Sequence, residues 1–343
     1  MTAFFYACMN RLFITTLLVL ILTACQQESQ YTKLSGNTMG TTYNLTFESN
    51  QDSGEQLKNA VTQELETINQ LMSTYIPDSE INQFNALRSD ECFQFSDATW
   101  LVLVAAKDIY HQTNGAFDIT VGPLIQRWGF DAVEYDDKVP SDEEIASLKE
   151  SVGTDKLQFD FEGQCISKTS PELTINLSAI AKGYAVDQLA NIMEEFDIEN
   201  YLVEIGGETK GQGINVHGYP WRIAVEKPAS SLNQQQLLIV ALNNTSIATS
   251  GDYRNYFEVN GKRFSHTIDP TTGYPITHNL TSVSVIHPSN MYADAYATAM
   301  SVMGSEASLE FAEQYQLPVL VIQREGQELI TLSNQLFEES LIE

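Results

Sequence analysis

Apolar residues recur along this chain at two periods, and the switches between them mark its elements. From Gln56 to Met72, Leu57, Val61, Leu65, Ile68, Leu71 and Met72 fall at helical spacing and give one apolar face. Ser96 can cap a second helix over Ala98–Thr113, with Asn114-Gly115 as its stop. Ser141 and Glu144 make a capping box for a third helix, and Val186, Leu189, Ile192, Met193 and Phe196 stripe a fourth. A small-residue helix is expected over Ala293–Val302. Runs of β type occupy Thr42–Phe47, Gln158–Phe161, Cys165–Lys168, Leu173–Leu177, Tyr201–Ile205, Trp221–Val225 and Gln236–Leu242. Three more follow at Ser282–Ile286, Pro318–Gln323 and Glu328–Leu332. The strands cluster in hairpins instead of alternating with helices. This predicts a mixed α/β, α+β-like fold of antiparallel sheets with packed helices.

The densest chemistry lies in Ile247–Ile276. Runs at Arg254–Val259 and Lys262–Ile268 flank Asn260-Gly261, which supplies the two positive φ angles of a type I′ hairpin. A small-residue corner, Ala248 to Asp252, precedes it. Its second strand delivers Ser265, His266 and Asp269 before the turn Asp269-Pro270-Thr271-Thr272-Gly273. Elsewhere, Leu173–Leu177 enters Ser178-Ala179-Ile180-Ala181-Lys182-Gly183-Tyr184, a strand-to-helix turn with backbone N–H groups available for phosphate. Asp294 and Thr298 lie four apart on one helical face. They read either as two oxygen ligands for Mg²⁺ or as a solvated Asp and a Thr bonded back to its own helix.

The formal charge of −27 repels nucleic acid and anionic lipid, so no nucleic-acid partner is expected. It also means that a polyanionic ligand would need a local cation. Leu12–Leu22 is an apolar run too short to span a bilayer comfortably, and it closes in Leu22-Thr23-Ala24-Cys25. That pattern resembles a bacterial lipoprotein signal over residues 1–24, cleaved before a lipid-bearing Cys25. Met9-Asn10-Arg11 makes the conventional positive start, so translation is expected to begin at Met9. Residues 25–34 then form a lipid-bearing tether, and residues 35–343 the folded body. The expected location is the periplasmic side of a bacterial membrane. Gln26 resembles an outer-membrane sorting residue. Cys92 and Cys165 remain in an oxidising compartment, either joined or as two buried thiols. No CxxC or His/Cys metal spacing occurs, which argues against zinc.

Five motifs stand in order: Thr38-Met39-Gly40-Thr41; Gly115-Ala116-Phe117-Asp118 with Gly122-Pro123-Leu124; Ala181-Lys182-Gly183-Tyr184-Ala185-Val186-Asp187; Ala248-Thr249-Ser250-Gly251 through His266-Thr267-Ile268-Asp269-Pro270-x-Thr272-Gly273; and Ala293-Asp294-Ala295-x-Ala297-Thr298. Together they resemble FAD:protein FMN transferases of the ApbE type, from about Leu34 to the C-terminus. The resemblance implies a T-fold-like core and a Mg²⁺-dependent enzyme. Such an enzyme cleaves FAD between its phosphates and joins FMN through a phosphoester bond to a threonine of an acceptor protein. The acceptor is typically a subunit of a membrane electron-transport complex, and AMP leaves.

Carried over residue by residue, the resemblance implies that Met39, Tyr75, Ala116, Phe117, Asp118, Asn176, Lys182 and Ile268 fall at flavin-nucleotide positions. Ala179 (through its carbonyl), Asp294, Ala297 and Thr298 fall at the magnesium site. Asn176 stands where many members have Asp, making that contact neutral. Ala297 stands where some have Asp, which leaves Asp294 as the sole carboxylate ligand. The attacking hydroxyl belongs to the acceptor, so His266 and Asp269 are the candidates to steer or accept its proton. His266 is preferred because imidazole titrates near working pH. An equal alternative is that it orders Asp269 or a phosphate. The same constellation also serves an FAD pyrophosphatase, with water as acceptor, and a third reading is a non-catalytic flavin-binding lipoprotein.

Overall fold

Met39 (φ 49°) and Gly40 (φ 73°) close a tight hairpin between β1 (Tyr31–Thr38) and β2 (Thr41–Glu48), the first elements of the computed structural model. The structure describes residues 31–49, 54–88, 90–130, 139–226, 237–251, 256–259, 262–326 and 328–342. Next come α1 (Gly54–Met72), α2 (Glu80–Ala86), β3 (Phe93–Gln94), α3 (Asp97–Gln112), α4 (Gly122–Arg127) and α5 (Asp142–Lys149). The hairpin of β4 (Leu157–Asp160) and β5 (Cys165–Lys168) leads to α6 (Ala181–Glu195), β6 (Tyr201–Ile205) and β7 (Glu208–Gln212). Then follow β8 (Trp221–Glu226), β9 (Leu237–Leu242), β10 (Thr245–Gly251), β11 (Tyr256–Val259), β12 (Lys262–Ser265) and β13 (Leu280–His287). The chain closes with α7 (Asn290–Met303), α8 (Ser305–Tyr315), β14 (Val319–Glu325), β15 (Glu328–Ser333) and α9 (Gln335–Glu338).

Eight strands form the main sheet in the order β1-β2-β6-β7-β10-β13-β14-β15, and every neighbouring pair is antiparallel. Side-chain alternation sorts its two faces. Val203, Ile205, Val283, Val285, Val319 and Val321 join the apolar stripes of α1, α6 and α7 in the largest core. Ile247, Ile286 and Leu320 point the other way, onto Trp221, Val225, Val240, Leu242 and Phe337 of β8, β9 and α9. Each fully buried aliphatic chain contributes about 1.5–3 kcal/mol. A third cluster, with Leu124, Trp128, Ile145, Phe264 and Ile268, fixes α4 and α5 beside the exit of the β11–β12 hairpin. There Trp128 Nε1 donates to the Gly273 carbonyl at 2.9 Å.

The mixed antiparallel architecture is the one expected, and Ser96 and the Ser141–Glu144 box cap their helices. Cys92 and Cys165 are joined. Four expectations need correcting. Tyr31–Leu34, expected to belong to a tether over residues 25–34, instead pair with Glu48–Leu45 as a polar edge strand. Leu173–Leu177 buries Leu173, Ile175 and Leu177, but the Asn85 and Lys168 side chains and the Ile119 carbonyl, not a neighbouring strand, satisfy it. The strand expected to run to Ile268 stops at Ser265, and Ile268 makes only an isolated bridge to Pro275. The corner expected at Ala248 lies inside β10, whose small residues let α7 lie directly on it. The Asn260-Gly261 turn, Asp252, Arg254, Gln236 and residues 1–30 lie outside the described residues.

Gly183 sets the spacing of α6 and α7. A Cβ there would stand 2.4 Å from the Asn290 carbonyl oxygen and 2.7 Å from Met291 Cα. Backbone cannot move aside as a side-chain tip can, so Gly183→Ala is expected to destabilise the fold by about 1–3 kcal/mol. Urea unfolding of the purified body checks this. A variant with unchanged midpoint would show that the crossing is not tight.

Candidate functional site

Two chambers meet at one wall. The first, of about 430 Å³, lies among Ala116–Ile119, the start of α6, Glu208, Thr249–Gly251, His266–Ile268 and the Asp294–Thr298 face of α7. The second, of about 630 Å³, is walled by Met39-Gly40, Ile68, Met72 and Ser73–Ile76. Asn176, Ser178 and Lys182 line both.

That wall is held by side chains acting as a strand would. Asn85 Nδ2 donates to the Ile175 carbonyl at 2.9 Å, and its Oδ1 accepts the Ile175 N–H at 2.7 Å. Lys168 Nζ donates to the carbonyls of Asn85, Leu87 and Leu173 at 3.0–3.2 Å. Burial and the neighbouring Arg88 pull the Lys168 ammonium down to about 8. Asn176 N–H donates to Ile119 O at 2.7 Å, and Asn176 Oδ1 accepts from Ser178 N–H. Among the described residues its amide NH₂ donates to no protein group.

Lys182 sits at the waist, pairing with Glu208 at 2.8 Å and with Asp294 at 3.6 Å. Burial works against its charge, but the two carboxylates outweigh that and hold its pKa well above the usual lysine value. Burial raises the Glu208 carboxyl, and Asp294 adds to the rise while Lys182 opposes it. Asp294 Oδ2 also accepts the Gly183 N–H at 3.0 Å. Thr298 does not bond back to its helix, unlike Ser301, whose hydroxyl donates to Ala297 O at 2.9 Å. Among the described residues the Ala179 carbonyl accepts no hydrogen bond. Carboxylate, hydroxyl and carbonyl at one cavity make an oxygen-only set that suits a hard divalent cation, with other positions left for ligand and water.

The site expectations divide accordingly. Ala116, Phe117, Asp118, Asn176, Lys182, Ile268, His266, Ala179, Asp294 and Thr298 line the first chamber. Met39 and Tyr75 line the second, Tyr75 with 70% of its surface exposed. The ring of His266 lies edge-on to Phe130, centroids 6.3 Å apart. Ala297 is not brought to the cavity, because it is packed into the main core. Asp269 is also absent from the lining. Its carboxylate accepts the Thr271 N–H at 2.8 Å and its carbonyl accepts the Gly273 N–H, so it builds the turn after the hairpin. Asp118 reaches the cavity wall but is mainly a hub. It accepts from the Thr120 N–H and hydroxyl and from the Thr154 hydroxyl at 2.6–2.8 Å, while burial raises its pKa.

Glu208 was not singled out by sequence, and Thr249 entered only within the Ala248–Gly251 motif. The only local signal for Glu208 is a carboxylate opening a strand straight after Gly206-Gly207, and its partner lies 26 residues away. Asp187, in the third motif, accepts from Lys210 Nζ, Ser289 Oγ and the Asn290 and Met291 N–H groups at 2.6–3.0 Å. It thereby caps α7 from a neighbouring helix.

Fold and cleft together define a mixed α/β protein whose two-chambered cleft carries a lysine between carboxylates at its waist. The model of the ApbE family matches residues 39–321, and this chain belongs to that family. A relative from Haemophilus influenzae named FAD:protein FMN transferase is 40% identical over 331 residues, covering 95% of this chain and 96% of its own length. One of the same name from Vibrio cholerae is 45% identical over 307 residues, covering 89% and 91%. The solved flavin transferase ApbE from Vibrio cholerae superposes with a TM-score of 0.85 at 41% identity, over 91% of this chain and all of that one. The ApbE protein of Thermotoga maritima gives 0.82 at 29% identity, over 92% and 100%.

Asp118→Ala would leave the Thr120 and Thr154 donors buried without an acceptor. It is expected to lower the unfolding free energy by about 2–4 kcal/mol, measured by urea denaturation. Equal stability would reassign Asp118 to ligand contact alone.

Proposed function

We propose that this chain is a flavin transferase, cleaving FAD and attaching FMN through a phosphoester bond to a threonine of an acceptor protein, with AMP as the other product. The observation that carries this reading is the waist. Two chambers sharing Asn176, Ser178 and Lys182 match a dinucleotide with two bulky ends and a diphosphate between them. The names of the relatives support the same reaction.

Lys182 would meet the diphosphate, with Glu208 keeping its ammonium charged and aimed. Asn176 would donate its amide to the nucleotide, and Met39 and Tyr75 would face one of the aromatic ends. Asp294, Thr298 and the Ala179 carbonyl would hold Mg²⁺, a fit supported by their oxygen-only chemistry and by two donors otherwise unused. When bound, the ion supplies charge neutralisation of the diphosphate and polarisation of phosphorus. His266, at the rim of the first chamber, would take the proton of the incoming threonine hydroxyl.

The acceptor is a redox-complex subunit on the periplasmic side of a bacterial membrane. The chain would be held there by lipid on Cys25, in the outer membrane by the Gln26 signal. The Cys92–Cys165 disulfide supports an oxidising compartment.

The test combines the body from Gln26 onward with FAD, Mg²⁺ and a threonine-bearing acceptor domain, read as in-gel flavin fluorescence with AMP assayed alongside. A fluorescent acceptor band lost with EDTA is expected. AMP and FMN without a band would mean hydrolysis, and intact FAD would mean a carrier. Asp294→Ala is expected to lower turnover at least 100-fold, since it removes the carboxylate from the metal position. For His266, activity of His266→Gln across pH decides the proton role. An unchanged pH profile would remove it.

A further inference from the structure

Seven large apolar side chains stand exposed among the described residues, and three of them, Ile214, Val216 and Tyr219, share the turn between β7 and β8. They are 44%, 59% and 57% exposed. The turn is built to hold them outward. Asn215 N–H donates to Tyr219 O at 2.7 Å, and Gly218 N–H donates to Asn215 O at 2.9 Å. Asn215 Oδ1 accepts the His217 and Tyr219 N–H groups, and Ile214 bridges Pro220. The Arg222 guanidinium lies over the Tyr219 ring at 5.5 Å. From Thr209 to Val225 there is no Asp or Glu, in a chain with 45 of them. Glu48, behind the turn, accepts a hydrogen bond from Asn200 Nδ2.

The turn is fastened to the start of the described chain. Tyr31 hydroxyl donates to Ile214 O at 2.8 Å, and the Tyr31 ring packs edge-on to Trp221 at 6.0 Å. Cys25 lies six residues before Tyr31, and six residues reach at most about 20 Å.

We infer that the 214–219 turn is a membrane-contact surface, seated in the headgroup region of a phospholipid bilayer. This rests on the reading of Cys25 as lipid-bearing. Among the described residues no helix is long and apolar enough to cross a membrane. The acyl chains supply the affinity, and the turn supplies orientation. A Tyr, a Val and an Ile with a neighbouring Arg suit the interface, where amphipathic rings and cations settle. With no Asp or Glu from Thr209 to Val225, the turn itself adds no negative charge against lipid that the net charge of −27 repels. Strand β1 runs from this end to the Met39-Gly40 turn of the second chamber, eight residues or about 26 Å away. Seating the turn therefore fixes the position of the cleft relative to the bilayer.

The test uses the acylated full chain in vesicles of phosphatidylethanolamine and phosphatidylglycerol, with a nitroxide on Val216→Cys or Tyr219→Cys. Leu101→Cys serves as the reference exposed site. The ratio of oxygen to nickel-chelate collisions is expected to rise several-fold at 216 and 219 on reconstitution and to stay constant at 101. Unchanged ratios at 216 and 219, or a rise at 101 instead, would overturn the proposal. The intact mass of the extracted chain reports acylation separately, so a missing acyl group is seen as a failure of the anchor reading. Coupling Cys25 of a non-acylated chain that begins at Cys25 to a maleimide phospholipid, before the nitroxide site is labelled, then repeats the collision comparison, and flat ratios there refute the contact itself.

Discussion

The crossing of α6 over α7 is the constraint on which the rest depends. Gly183 permits it, Asp187 caps the incoming α7, and the Gly183 N–H holds one oxygen of Asp294. One short motif on α6 therefore fixes the spacing of two helices and the position of a carboxylate on the second. Lys182 is brought to the waist by the same turn of helix, with Asn290 Nδ2 tying the α7 start to the Thr209 and Ile247 carbonyls of β7 and β10. A loosened crossing would displace the lysine, the acid and the helix's seat on the central strands together, which is why the helix spacing and the site geometry cannot be separated.

Local patterns were legible wherever the physics was local. The Ser96 cap and the Ser141–Glu144 box are satisfied within a few residues of themselves, and the stripe of α1 is a periodicity carried within one helix. Elements that depend on distant partners were not. β1 is a polar edge strand whose Gly36 makes room for the Tyr43 ring, so its residues read as a tether. β10 is built of small residues because α7 lies on it, a demand invisible until both are placed. Leu173–Leu177 shows strand alternation, yet Ile175 bonds to the side chain of Asn85, 90 residues away, and Asn176 N–H to the Ile119 carbonyl.

The candidate site divides in the same way. Motif residues carried Lys182, Asp294, Thr298 and His266 to one cavity, because each motif is a contiguous stretch whose local form is preserved. Glu208 escaped because its meaning comes from Lys182, and Asp269 was over-read because a carboxylate beside a histidine looks the same whether it serves a turn or a substrate. Asp118 lies between these cases. It lines the cavity, but its oxygens are committed to Thr120 and Thr154, so it shapes the Ala116–Ile119 wall at least as much as it faces a ligand.

Charge connects the whole chain to the site. A protein of net charge −27 offers a poor general field for a diphosphate, and Lys182 at the waist is flanked by two acids. With all three ionised, Lys182, Glu208 and Asp294 sum to a single negative charge, which would repel the ligand at close range. Two features reduce that repulsion. The raised Glu208 carboxyl is more readily neutralised than an ordinary one, and the oxygen donors on α7 and at Ala179 suit a divalent ion that reverses the sign. The acids around Lys182 thus have two functions. They hold the ammonium in place, and under the proposed function they would make the waist hospitable to a phosphate only together with a metal cation, coupling ligand binding to that ion.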